Sequence, residues 1–254
     1  MKRIAYVLGL PLVLSAAWFV LSAGSENFYA PPLRDILRAF ADTWTPERLR
    51  ADVLPSLLRL TGGFLLAALA GIALGVAIGM SRRLRATVEP VLEFFRAIPP
   101  PVLVPVIMLF AGIGTSMKLI VIVFGCVWPI LLNTVEGVRA VDAVQIETAR
   151  AYGINGLARL RRLILPAASP QIAAGLRQAL SIAIILMVIS EMFAASNGLG
   201  FTIVQFQRSF AIPEMWSGII LLGLLGFALS VLFRLAERRA LSWYDGLRAA
   251  QRRS

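Results

Sequence analysis

Histidine is absent from this 254-residue chain, and cysteine occurs once, as Cys126. These absences exclude zinc centres built on histidine or several cysteines, nucleophiles that need a histidine base, and any disulfide within the chain. Cys126 sits inside an apolar run and reads as a small buried hydrophobe. Charge is scarce too: Asp, Glu, Lys and Arg make up 15% of the residues, against roughly a quarter in soluble domains. No Gly-x4-Gly-Lys-Ser/Thr pattern occurs, so the chain is not expected to bind or hydrolyse ATP itself. Nor is there an internal or inverted repeat, a low-complexity tract, or a carboxylate cluster in the apolar segments that would equip an intramembrane enzyme.

What is abundant is apolar surface, 58% of the residues. Apolar runs near the length of a bilayer crossing predict an all-α polytopic membrane protein with about six transmembrane helices, at 4–21, 54–80, 91–112, 117–137, 171–195 and 215–235. The first run follows Lys2-Arg3 and precedes Ser22-Ala-Gly24, as a secretory signal would. Its length and the mid-run Pro11 favour a retained span. Placing both termini on the cytoplasmic side puts eighteen of the 25 basic residues there and seven outside, while the 14 acids divide evenly. The whole net charge of +11 then falls on one face, as the positive-inside rule requires. Basic residues that follow span ends without interleaved aromatics give no reason to expect nucleic acid as a partner. The organisation expected is a first helix and external interfacial segment (1–53), a membrane domain (54–245) with a cytoplasmic loop at 139–169, and a basic tail (246–254).

The loop is the most informative stretch. Asp142 and Gln145 have capping-box spacing, which predicts a helix from Ala143. Gly153 can end it in the left-handed conformation, Asn155-Gly156 restarts the chain, and a second short helix runs to Pro166. Ile146, Ala149 and Tyr152 or Gly153 share a face, where small alanines would admit another protein closely. Glu147 is placed to pair with Arg150 or with an arginine of a partner. Taken alone, the arginines read as a solvated basic loop; the ordered glycine and proline breaks suggest a docking surface.

Glu147-x-Ala149-x3-Gly153-x9-Leu163-x-Leu165-Pro166 resembles the EAA loop of permease subunits from binding-protein-dependent ABC importers, with Thr148 and Leu163 as mild departures from that pattern. Phe94-Phe95-Arg96-Ala97-Ile98-Pro99-Pro100, Trp128-Pro129-Ile130-Leu131-Leu132-Asn133-Thr134, and Glu191-Met192-Phe193 with Gly198-Leu199-Gly200 are similar to the nitrate/sulfonate/taurine/bicarbonate-type branch. The likeness covers about residues 50–245. It implies a multi-pass permease of the bacterial cytoplasmic membrane, paired with a second copy of itself. Two cytoplasmic ATPase subunits would hold ATP and magnesium, and an extracytoplasmic binding protein would deliver a small anion. The helix before Gly153 would be the coupling helix, with Asp142, Ile146, Glu147, Ala149, Arg150, Tyr152, Gly153, Leu163, Leu165 and Pro166 forming the docking loop. A self-contained secondary transporter or channel is the alternative; it lacks a repeat and a buried ionic relay to support it.

Within the spans, Glu191 lies about 21 Å along a helix from Arg177, toward the outer half. Ionisable residues there are functional candidates. Its sign would repel an anion, so it reads as a gate or structural residue paired with Arg59 or Lys118, or else as a loose position at the membrane edge. Pro99, Pro100, Pro101 and Pro105 prevent a regular helix and read either as a hinge lining the path or as a kink away from it. Asn133 joins the path candidates. Met108 reads as packing more readily than as a substrate track. Asn197, Gly198 and Gly200 are expected to turn an outer loop, and 201–213 to return toward the membrane.

Overall fold

Apolar runs flanked by arginine become helices throughout the computed structural model, which describes residues 2–193 and 195–244. α1 (Lys2–Ser22) and the amphipathic α2 (Leu33–Thr43) come first. α3 (Pro46–Arg48) passes through a π turn at Leu49–Val53 into α4 (Leu54–Met80), so Pro46–Met80 is one rod of 35 residues. α5 (Arg82–Ala97) is followed by a 3-10 turn at Pro100–Leu103 and by α6 (Val104–Ala111). α7 (Thr115–Arg139) leads to the loop helices α8 (Ala143–Ala151) and α9 (Gly156–Arg159). A second π turn, Leu160–Ile164, joins α9 to α10 (Leu165–Phe193) in a rod of 38 residues, Gly156–Phe193. α11 (Leu199–Arg208) and α12 (Ile212–Ala240) complete the described chain.

Among the described residues, four helices are long and apolar enough to cross a membrane, and a fifth crossing results if the bent α5–α6 pair is one span. Six were expected, and the difference lies mainly at the first. Residues 4–21 fall within α1, but several of their side chains lie outside the described set, and Val13–Ser22 is the part that stands as an apolar helix. The expected run 91–112 is not a single straight helix. It breaks by 82° where Pro99 to Pro101 leave consecutive residues without amide donors.

The largest correction concerns the fifth span. It was expected to begin near residue 171, after Pro166 ended or bent the short loop helix and Pro170 let the span begin. Instead the helix runs unbroken through Pro166 and Pro170. The reason is local. In the π turn Leu165 N–H reaches Leu160 C=O, five residues back, and this wider turn makes room for the ring of the proline that follows. The other rod repeats the device: Leu54 N–H bonds Leu49 C=O, and Pro55 comes next.

α4, α7 and α10 form the centre. On α4, Gly63, Ala67, Gly71, Gly75 and Gly79 recur every fourth residue, which brings them to one stripe. α7 answers with Ile122, Cys126, Ile130, Thr134 and Val138 at the same interval. A Cβ on Gly75 would stand 2.6 Å from Thr134 Cβ and 2.8 Å from Leu131 O; at Gly71 it would stand 2.9 Å from Ile130 Cβ. Small residues thus let two backbones approach closely, the usual way apolar helices associate in lipid. Gly137 and Gly175 do the same between α7 and α10, against Ala168 and Gln171 and against Pro129 O and Asn133. The expected interfacial helix near 34–40 is present as α2, with Leu33 and Ile36 buried, and Trp44 just beyond it donates from Nε1 to Ser217 Oγ of α12 at 3.0 Å.

Candidate functional site

Three groups of predicted residues take up separate places. The loop comes first. Asp142 Oδ1 accepts the Val144 amide at 2.9 Å and starts α8. At its other end, Gly153 adopts φ +71°, Gly153 N–H bonds Arg150 C=O at 3.0 Å, and Ile154 N–H bonds Ala149 C=O at 2.8 Å. This pair of bonds is a Schellman termination. No atom lies within 4 Å of where a Gly153 Cβ would be, so backbone conformation, and not crowding, selects glycine there.

One feature of the loop differs from expectation. Ala149 is buried and Ile146 half-buried against the chain's own body, so that face is already used. The outward face carries Val144, Thr148 and Tyr152, four residues apart, with Val144 67% and Tyr152 80% exposed. Leu157 of α9, 76% exposed, extends this apolar surface. Glu147 is exposed and makes no ion pair among the described residues, with Arg150 or otherwise. Leu163 lies in a groove with Val144, Thr148, Ala149, Ile154 and Arg162. Leu165 packs with Val76, Val138 and Ile172, while Pro166 is exposed.

The second group borders a cavity of about 470 Å³ between the 3-10 turn, α7 and α10, lined in part by Arg96, Pro100, Pro101, Trp128, Asn133 and Gln178. Pro100 and Asn133 are brought together here; Pro99 is exposed beside the break, and Met108 packs against the central core instead. Asn133 Nδ2 donates to Pro129 O at 2.8 Å and to Gln178 Oε1 at 3.3 Å. Trp128 stacks on Phe95 at 6.2 Å with planes 3° apart, and its buried Nε1 donates to nothing among the described residues. Trp128 stood in a quoted motif without a role, and Gln178 was missed. A glutamine beside Arg177, seven residues into an apolar span, was its available signal.

Glu191, Asn197, Gly198 and Gly200 make the third group, and they converge. Glu191 is 0% exposed. Arg59 Nη1 donates to Glu191 Oε1 at 2.7 Å, Ser56 Oγ stands 2.8 Å from both carboxylate oxygens, and Gly200 N–H reaches Oε2 at 3.0 Å. Arg59 also holds Asn197 by its backbone carbonyl, at 3.1 Å, and by its side-chain oxygen. Ser56 Oγ accepts Leu199 N–H at 2.8 Å. α11 has no cap of its own; two of its orphan amides are satisfied by side chains of α4 and α10. Gly198 has φ +122°, and a Cβ there would stand 2.4 Å from Glu191 Cδ. The pairing with Arg59 is therefore the arrangement found, and Glu191 is not a loose position at an edge. Lys118, also buried, donates to Gly114 O at 3.1 Å and makes no ion pair with the carboxylate. Ser56 was missed, since a serine 135 residues away announces no contact with Glu191.

Among the described residues no group of three or more His, Cys, Asp or Glu side chains is placed to hold a metal. The family described as binding-protein-dependent transport system inner membrane component matches residues 63–242. SsuC of Bacillus subtilis, a permease protein named for aliphatic sulfonates transport, is 31% identical over 253 residues, covering 96% of this chain and 91% of that one. The taurine transport system permease protein TauC of Escherichia coli is 27% identical over 250 residues, 96% and 91% of the two chains. A solved inward-facing MetNI methionine ABC transporter matches with a TM-score of 0.66 at 20% identity, over 76% of this chain and 95% of that chain, a likeness of fold.

Proposed function

Because the chain belongs to the binding-protein-dependent transport system inner membrane component family, we propose that it works as the membrane permease of an ATP-driven importer for a sulfonate-type solute. In this reading both termini are cytoplasmic, two ATPase subunits carry the ATP and magnesium, and a binding protein loads the outer side. A second copy of the chain completes the path in the bacterial inner membrane.

One observation carries the proposal: the second loop helix and the span bearing Glu191 are the same rod, Gly156–Phe193. An ATPase seated on Val144, Thr148, Tyr152 and Leu157 meets that rod at Leu157 and reaches it from α8 through the Gly153 turn. The rod itself has no break at Pro166 to absorb the motion. Halfway along, the rod presents Gln178 to the cavity; at its far end it holds the start of α11 through Glu191. Movement at the cytoplasmic loop thus reaches the solute cavity and the outer loop together. Relatives named for sulfonates and taurine support the solute class, as does the cavity. Its lining includes the Arg96 guanidinium and the Gln178 amide for an oxyanion, proline and isoleucine walls for an alkyl group, and no carboxylate.

The test is purification of the tagged chain from its native host in mild detergent, with mass spectrometry of what is retained. An ATPase and an exported binding protein are expected, and Gly153→Asp is expected to lose the ATPase while the chain still reaches the membrane. Recovery of the chain alone, in repeated crosslinked preparations, would overturn the proposal.

A further inference from the structure

Five arginines converge where the loop meets the spans. Arg82 and Arg85 come from the α4–α5 corner, Arg139 from the end of α7, Arg150 from α8 and Arg159 from α9, around a cavity of about 510 Å³. No carboxylate lines it. Arg85 and Arg139 are offset by Glu89 at 3.3 Å and Glu136 at 2.7 Å, each on its own helix. Arg82, Arg150 and Arg159 make no ion pair among the described residues. Arg159 Nε is buried without a hydrogen-bond partner.

Basic residues on the cytoplasmic side are ordinary when they point separately into water. These line one pocket, where their charges add, and the Arg159 N–H without an acceptor is a standing penalty that an anion would remove. We propose that this pocket binds a phosphate group, supplied by the headgroup of an acidic phospholipid. Guanidinium forks fit phosphate oxygens in pairs. The position selects the lipid over a soluble ion. The pocket lies where the apolar runs of α4 and α7 end, and Met80, Val138, Val141, Ile146 and Ile164 give it one apolar wall for the glycerol end of the lipid. Basic pockets between spans on this side are suited to anionic headgroups. A bound headgroup bridges the α4–α5 corner to Ile146, Arg150 and Arg159 of the loop, so lipid composition sets how firmly the loop is held.

The experiment counts phosphatidylglycerol retained per chain, by native mass spectrometry of the full-length protein, with or without other subunits, from nanodiscs of phosphatidylcholine with phosphatidylglycerol. The wild type is expected to retain it over phosphatidylcholine. Arg159→Gln and, separately, the exposed Arg82→Gln each lower that preference about fivefold; Arg208→Gln, far from the pocket, leaves it unchanged. Arg82→Gln carries the test if Arg159→Gln does not fold. In a second arm, inorganic phosphate is added to the delipidated protein. A rise in thermal midpoint for wild type but not Arg159→Gln, with no lipid preference, would overturn the lipid source and assign the site to a soluble oxyanion. Equal lipid retention in all forms and no phosphate response overturns the site. The readout needs neither ATP nor solute, so it fails independently of the transport reading.

Discussion

Glu191 is fully buried and accepts from Ser56 and Arg59 of α4 and from the Gly200 amide in the first turn of α11, so it presents no surface to a solute. Removing one partner of a buried ion pair leaves the other charge unpaired, so Arg59→Met is expected to destabilise the protein by about 3–5 kcal/mol. Replacing both, as Arg59→Met with Glu191→Met, removes the orphan charge and is expected to recover part of that loss. Thermal unfolding in detergent orders the three proteins; a double variant less stable than the single one contradicts this account. The neighbouring glycine gives a finer comparison. Gly198 and Gly112 both have positive φ, but only Gly198 faces an obstacle, the Glu191 carboxyl. Gly112→Ala therefore carries backbone strain alone, about 1–3 kcal/mol. Gly198→Ala adds overpacking of about 1–3 kcal/mol, and its unfolding midpoint should be the lower.

Helix by helix, close approach does the work that a hydrophobic drive does in water. Glycine inside a helix ordinarily disfavours it by about 1 kcal/mol relative to alanine. Gly223→Ala in α12, with open space around the site, is expected to be neutral or stabilising. Gly75→Ala is expected to destabilise, because its methyl group would meet Thr134 and a backbone carbonyl of α7. Opposite signs in thermal unfolding confirm the ladder; equal shifts remove it. That ladder was legible in the sequence as small residues every fourth position from Gly63 to Gly79, yet apolar run length, which locates spans, is blind to it. The loop read more easily because its signals are local: Asp142 caps α8, and Gly153 ends it within one turn. Pro166 misled because a proline is judged against an α-helix, and the residues before it form a π turn. The outward face of α8 was out of reach as well, since an isolated helix does not reveal which side the parent protein covers. Likewise, nothing near Glu191 in sequence announces Ser56 or chooses Arg59 over Lys118.

At the scale of the whole molecule, the proposed function makes levers of the two long rods, each of which carries a π turn near one end. A π turn holds one residue more than an α turn, so deleting Arg161 from Leu160–Ile164, with Pro166→Ala to remove the ring that the wider turn accommodates, should restore α-helical bonding there. Each residue removed turns the preceding segment by about 100° and draws it in by about 1.5 Å. α8 and α9 would then present Val144 and Tyr152 in a new direction, while Gly175, Gln178 and Glu191 keep their places beyond the deletion. The expected result is a chain that inserts, keeps the ion pair of Arg59 with Glu191 and unfolds near the wild-type temperature, but neither retains the ATPase nor supports uptake. Membrane fractionation, thermal unfolding and co-purification measure these separately. Uptake at the wild-type level in the deletion variant would mean that the loop adjusts independently of the rod. Transmission from the loop to the outer cluster would then have to run through another helix.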